Sequence, residues 1–230
     1  MFADEMNRSE MNEYFNDLSK EIKKTLGRNA RIELIVVGGA AIALNYDFRD
    51  STTDIDAYVS SGESIKDAIR RVADKHGISE EWLNDDFKRT TSYSPILTRT
   101  SNFYKTFNQV LSIRTVASEY LIAMKLKSFG PYKHDRSDIT GIIAAEPSMT
   151  IERIEKAVSD LYGSWDEIPK EARDALEGYL RGANSYDEVA KEEHMNKQLI
   201  DEFHQQYPGR IKGVTPQELI DIIKAKKGIK

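Results

Sequence analysis

Val37-Gly38-Gly39-Ala40-Ala41-Ile42-Ala43-Leu44, followed by Arg49-Asp50-Ser51-Thr52-Thr53-Asp54-Ile55-Asp56, is the stretch on which the fold turns. Before it, Ile32-Glu33-Leu34-Ile35-Val36-Val37 is short, apolar and β-branched, the composition of a buried strand. The two glycines end that strand, and residues 40–46 can form a short helix. A strand that turns at Gly-Gly into a helix leaves backbone N–H groups exposed, and the missing Cβ lets a phosphate approach. Residues 54–59 read as a second strand. Positions i and i+2 of a strand share a face, so Asp54 and Asp56 sit side by side. Two carboxylates that close stay ionised only with a cation between them. A hard divalent ion such as Mg²⁺ suits carboxylate and phosphate oxygens. Two such ions, about 3.5–4 Å apart, would clamp the attacking and leaving oxygens of phosphoryl transfer. Arg49 and Ser51 precede the carboxylates and add a charge and a hydroxyl for a triphosphate.

Outward from this segment, Met11, Phe15, Leu18, Ile22 and Leu26 repeat at helical spacing, so residues 4–26 read as an amphipathic helix. Residues 64–76 read as another helix. Residues 84–109 mix Asn, Asp, Ser, Thr and aromatics with no clean period, reading as loops with one or two strands. Residues 109–116 look like a strand. After Ala117 helical patterns dominate, at about 118–129, 135–145, 150–163, 169–181, 185–206 and 215–227. The expected fold is α/β (α+β): a mixed sheet with flanking helices over residues 1–116, then a helical region over 117–230. Of that region, 117–163 completes a cleft and 164–230 has no assigned role.

The package of strand, Gly-Gly, helix, Arg-x-Ser and Asp-x-Asp resembles the nucleotidyltransferase superfamily of the DNA polymerase β type. The wording is most similar to an uncharacterised bacterial branch that includes AbiEii-like toxin nucleotidyltransferases. Glu119 to Leu126, followed by Asp135-Arg136-Ser137-Asp138-Ile139, resembles that branch's lysine helix and Asp-x-x-Asp helix. The resemblance covers about residues 31–145. It implies that Asp54 and Asp56 are catalytic metal ligands for Mg²⁺ (or Mn²⁺). Gly38, Gly39, Arg49, Ser51 and Lys125 would contact the nucleotide, and Asp135 and Asp138 would line or brace that side. It implies transfer of a nucleoside monophosphate from a triphosphate to a hydroxyl on RNA such as a tRNA end, on a protein, or on a small molecule such as an aminoglycoside. A place in a toxin–antitoxin or phage-defence pair, with a cognate antitoxin as partner, follows from the same likeness.

Many members carry a third carboxylate on a later strand. The candidate strand, residues 109–116, has none, and Asp85 and Asp86 follow a helix. A second reading therefore stands: a nucleotidyltransferase-like module that binds nucleotide or a partner protein and transfers nothing.

Composition bounds the alternatives. The chain has 230 residues, with 40% hydrophobic and 31% charged, as soluble globular proteins do. Its net charge of −5 argues against a bulk polyanion binder. Without cysteine there are no disulfides and no thiolate chemistry, which suits a reducing cytoplasm. No apolar run reaches membrane-spanning length, and residues 1–20 lack a secretory apolar core, so a cytoplasmic protein is expected. His76, His134, His194 and His204 show no metal spacing. Tyr93, Phe103, Tyr104 and Phe107 read as core or loop packing, with base stacking as the alternative.

Overall fold

The computed structural model describes residues 5–59, 65–207 and 213–229. Helix α1 spans Arg8–Leu26. Asn7 caps it by accepting the Ser9 and Glu10 N–H groups, and Glu10 reaches back to the Asn7 N–H in a capping box. Met11, Phe15, Leu18 and Ile22 are fully buried, as their spacing requires. Leu26 differs: it ends the helix and stands 42% exposed, one position beyond the packed stripe. The expected start of this helix at residue 4 falls short of the described residues, which begin at 5. Residues 5–7 extend instead, and strand β1 (Met6–Asn7) pairs with β3 (Ser51–Thr52) as a small ribbon.

The main sheet is built from β2 (Ile32–Val36), β4 (Ile55–Val59), β5 (Leu83–Asn84), β6 (Ser101–Phe107) and β7 (Leu111–Val116). Its order is β5-β4-β2-β7-β6. The sheet is mixed: β2 runs parallel to β7 and antiparallel to β4, and β4 runs parallel to β5. The parallel β4–β5 pair is bridged by α3 (Lys66–His76), the crossover such a pair demands. Strand β6 has no legible pattern because it lies at the sheet edge with only Phe107 buried. It joins β7 through Asn108 and Gln109, both with positive φ (46° and 63°), the geometry of a tight hairpin turn.

Helices α2 (Gly38–Asn45), α4 (Ser118–Ser128), α5 (Asp135–Ala145), α6 (Ile151–Tyr162), α7 (Lys170–Leu180), α8 (Tyr186–Gln206) and α9 (Pro216–Lys227) complete the chain. One continuous apolar core runs from Met6 to Val189 and crosses the change of texture at Ala117. A second, smaller cluster joins Leu199 and Ile200 of α8 to Leu219, Ile220 and Ile223 of α9. Among the described residues, no helix is long and apolar enough to cross a membrane.

Packing is tight where α5 meets the loop before β3. A Cβ on Gly141 would overlap Cε2 of Phe48, whose ring lies 4.9 Å from that of Tyr186. Gly141→Ala is therefore expected to lower stability by about 1–2 kcal/mol, overpacking outweighing the better helix propensity of alanine. A urea melt reads this, and a gain in stability would show that Phe48 yields freely.

Candidate active site

The Gly-Gly turn forms because its two glycines meet two different demands. Gly38 has φ +61°, a left-handed conformation that costs other residues about 1–2 kcal/mol. Gly39 faces the Arg49 guanidinium, and a Cβ there would lie 2.6 Å from Nη2. The turn is stitched to the acidic strand, since the Val37 N–H donates to the Asp56 carbonyl at 2.9 Å. A Cβ on Gly38 would lie 3.8 Å from Asp56 Oδ2, so the carboxylate stands against the open turn. Val37 offers no side-chain cap, and the first N–H groups of α2 have no partner within the helix.

Asp54 and Asp56 flank this turn. Asn84 Nδ2 donates to Asp54 Oδ2 at 3.3 Å. The Phe87 backbone favours the charged form of the Asp56 carboxylate. Among the described residues neither aspartate forms an ion pair. Burial first, and the Asp54 charge second, push the Asp56 carboxyl up to about 6. Asp86 pushes weakly in the same direction, but it is exposed, pairs with Arg89 at 3.2 Å and is not among the residues that line the cavity. Asp85 and Asp86 follow β5 directly rather than a helix, and β5 pairs with β4 so that Asn84 lies opposite Asp56. The expected carrier, strand β7, lies on the far side of β2. Sheet order, which periodicity does not reveal, decides this placement.

Behind the turn lies a buried ionic network. Arg49 Nη1 donates to both oxygens of Asp138, at 2.7 and 2.5 Å, and Asp138 is fully buried. Lys125 Nζ lies 2.9 Å from Asp138 and 3.0 Å from Asp135. The Gly130 N–H donates to the other Asp135 oxygen at 2.9 Å. Two cations and two anions thus balance. Burial alone would lower the Lys125 ammonium, but Asp138 and Asp135 hold it above the ordinary lysine range.

A cavity of about 830 Å³ opens between the sheet end and the helices, large enough for a nucleotide. Gly38, Gly39, Asp54, Asp56, Lys125 and Asp135 line it. Arg49 and Asp138 are not among the lining residues; they brace the turn and α5 from behind. Ser51 stands apart, its hydroxyl donating to Glu5 at 2.6 Å. The four aromatics singled out in the sequence also lie elsewhere. Phe107 packs on Phe15, Tyr93 backs Phe87, Tyr104 meets Asn12, and Phe103 is 63% exposed on β6. The aromatic rings that do line the cavity belong to Phe87 and Tyr132.

The residues at the turn fit a divalent cation. They offer carboxylate oxygens without an ion-pair partner, and a cation would offset the burial, and secondarily the Asp54 charge, that raise the Asp56 carboxyl. A second group, Glu13, Asp17 and His76, has ligand atoms close enough to share an ion. Asp17 there already receives Lys20, Lys75 and His76, so ammonium groups occupy the place of a metal and tie α1 to α3.

No curated protein and no solved structure matches the chain. Residues 13–173, more than two thirds of the chain, match the family described as a nucleotidyltransferase of unknown function, DUF6036. The Gly-Gly turn, the acidic strand and the lysine helix all fall inside that span, and the chain belongs to this nucleotidyltransferase family.

Proposed function

We propose that the cleft binds a nucleoside triphosphate with Mg²⁺ (or Mn²⁺) and passes its nucleoside monophosphate to an acceptor hydroxyl, releasing pyrophosphate. The observation that carries this is that Asp54 and Asp56 line one nucleotide-sized cavity together with the Gly-Gly turn, Asp56 standing against Gly38. Asp54 and Asp56 hold the cation, which supplies charge neutralisation at the phosphates. The free N–H groups at the start of α2 receive phosphate oxygens. Lys125 adds positive potential from the helical wall while Asp135 and Asp138 keep it charged and in place. Asp86, the nearest candidate for a third carboxylate, is paired with Arg89 at 3.2 Å and does not line the cavity, so Asp54 and Asp56 alone carry the reading. Catalysis here is positioning and charge stabilisation rather than covalent chemistry. An acceptor on RNA or protein, and a role beside an antitoxin in phage defence, rest on the resemblance of residues 31–145 alone.

The test uses triphosphates labelled at either end, incubated with the chain, Mg²⁺ and candidate acceptors. An α-phosphate label is expected to move to the acceptor while a γ-phosphate label leaves as pyrophosphate. Transfer of the γ label would instead mean a kinase. Metal affinity carries its own signature. Protons compete for Asp56, whose carboxyl titrates at about 6, so Mg²⁺ binding is expected to weaken as pH falls below that value. The loss approaches tenfold per pH unit, one proton displaced per ion. Calorimetry between pH 5 and 8 reads it, and a flat profile would remove Asp56 from the metal.

A further inference from the structure

A nucleotide asks two things of its pocket: charge and N–H groups for the phosphates, and a flat apolar face for the base. The first demand is met at the Gly-Gly turn. The second narrows to Tyr132. Phe87 is only 5% exposed, and Tyr93 already stands edge-on to its ring. Tyr132 is half-buried, lines the cavity, and packs against the second apolar cluster of α8 and α9. That cluster backs the ring, and the Lys133 ammonium lies 5.9 Å from its centroid, where it would also attract a phosphate. Pro216, the first residue of α9, lines the same cavity.

The loop that carries Tyr132 is pinned from several sides. Asn196 of α8 donates to the Pro131 carbonyl at 3.0 Å. Glu193 of α8, fully buried, accepts the Arg136 and Ser137 N–H groups at 2.9 and 3.2 Å and so caps α5. Helices α8 and α9 lie beyond residue 173, where the family match ends.

We propose that the Tyr132 ring is the platform on which the nucleotide base stacks, with Pro216 beside it, so that α8 and α9 form part of the nucleotide site. The proposal rests on the reading of the cleft as a triphosphate site. Stacking on a π-face tolerates any base, and purines present the larger face.

Calorimetry of the full chain with Mg²⁺ tests it, using ATP and tripolyphosphate as ligands for wild type, Tyr132→Phe and Tyr132→Leu. Leucine keeps apolar packing against α9 and removes the ring. Wild type is expected to bind ATP more tightly than tripolyphosphate. Tyr132→Phe should keep that preference. Tyr132→Leu should weaken ATP roughly ten- to hundredfold, the range for an aromatic platform, and leave tripolyphosphate unchanged. Equal loss of both ligands, or no loss of either, would overturn the platform while leaving the triphosphate site standing. Wild type that binds neither ligand would overturn the site reading, and the platform with it.

Discussion

Asp56→Asn is expected to make the metal-free protein more stable and to abolish its response to Mg²⁺. The sign follows from the Asp56 carboxyl, raised from 3.8 to about 6 by burial and by Asp54. A carboxyl raised in the folded state favours folding while it holds its proton. That contribution is complete below pH 3.8 and is lost as pH rises through about 6. At pH 7.5 the folded chain therefore bears an unrelieved charge. An amide of the same shape removes the burden, for a gain of roughly 2 kcal/mol, or about 4–8 °C in melting temperature. The contrast with metal is the informative part. Wild type should gain stability from millimolar Mg²⁺ with nucleotide by mass action, and the variant should not. At pH 4, where the Asp56 carboxyl of the folded chain holds its proton, the two proteins should converge in stability. A variant less stable than wild type at pH 7.5 in EDTA would show that the Asp56 charge is satisfied within the fold, and the site would lose its reason to attract a cation.

Asp138→Ala is expected to be the most damaging single change in the chain. Asp138 is fully buried and holds Arg49 and Lys125 together. Truncation leaves two cations in a poorly solvated place with only Asp135 to share. Breaking a buried pair in this way costs about 3–5 kcal/mol. The turn should also slacken, because Arg49 is packed onto Gly39. Chemical denaturation of the two proteins measures the cost. A loss below about 1 kcal/mol would mean that water reaches the network and carries the charges. Replacing Arg49, Lys125 and Asp138 together by apolar residues of similar size should recover much of the stability, since the network's desolvation cost is then removed. Nucleotide binding should stay low in that triple variant, which separates the brace from the charge that Lys125 shows to the cleft.

Much of this was legible in the chain. Met11, Phe15, Leu18 and Ile22 mark α1 by spacing alone, and all four are buried. The apolar run before Gly38 and the alternation around Asp54 and Asp56 locate β2 and β4, because both strands are central and bury a face. What stayed hidden depends on sheet order and on distance along the chain. Arg49 and Asp138 are 89 residues apart, and no local pattern pairs them. Arg49 reads as a phosphate contact in the sequence because its partner is invisible there. Asp86 reads as a helix-end residue until β5 is seen to pair beside Asp56. Ser51 reads as a nucleotide contact until Glu5, just before β1, is seen to take its hydroxyl. Tyr132 belongs to no periodic segment, and only the packing of α8 and α9 gives its ring a place in the cavity wall.

The central claim is that Asp54 and Asp56 make the cleft a metal-dependent nucleotide site. Calorimetric titration of the four nucleoside triphosphates, with Mg²⁺ and with EDTA, on wild type, Asp54→Asn and Asp56→Asn, tests it most directly. Wild type should bind with Mg²⁺ and lose binding in EDTA, and both variants should lose the metal-dependent part. Binding that survives EDTA, or that persists in Asp56→Asn at wild-type affinity, would contradict the claim and move the nucleotide away from the acidic strand.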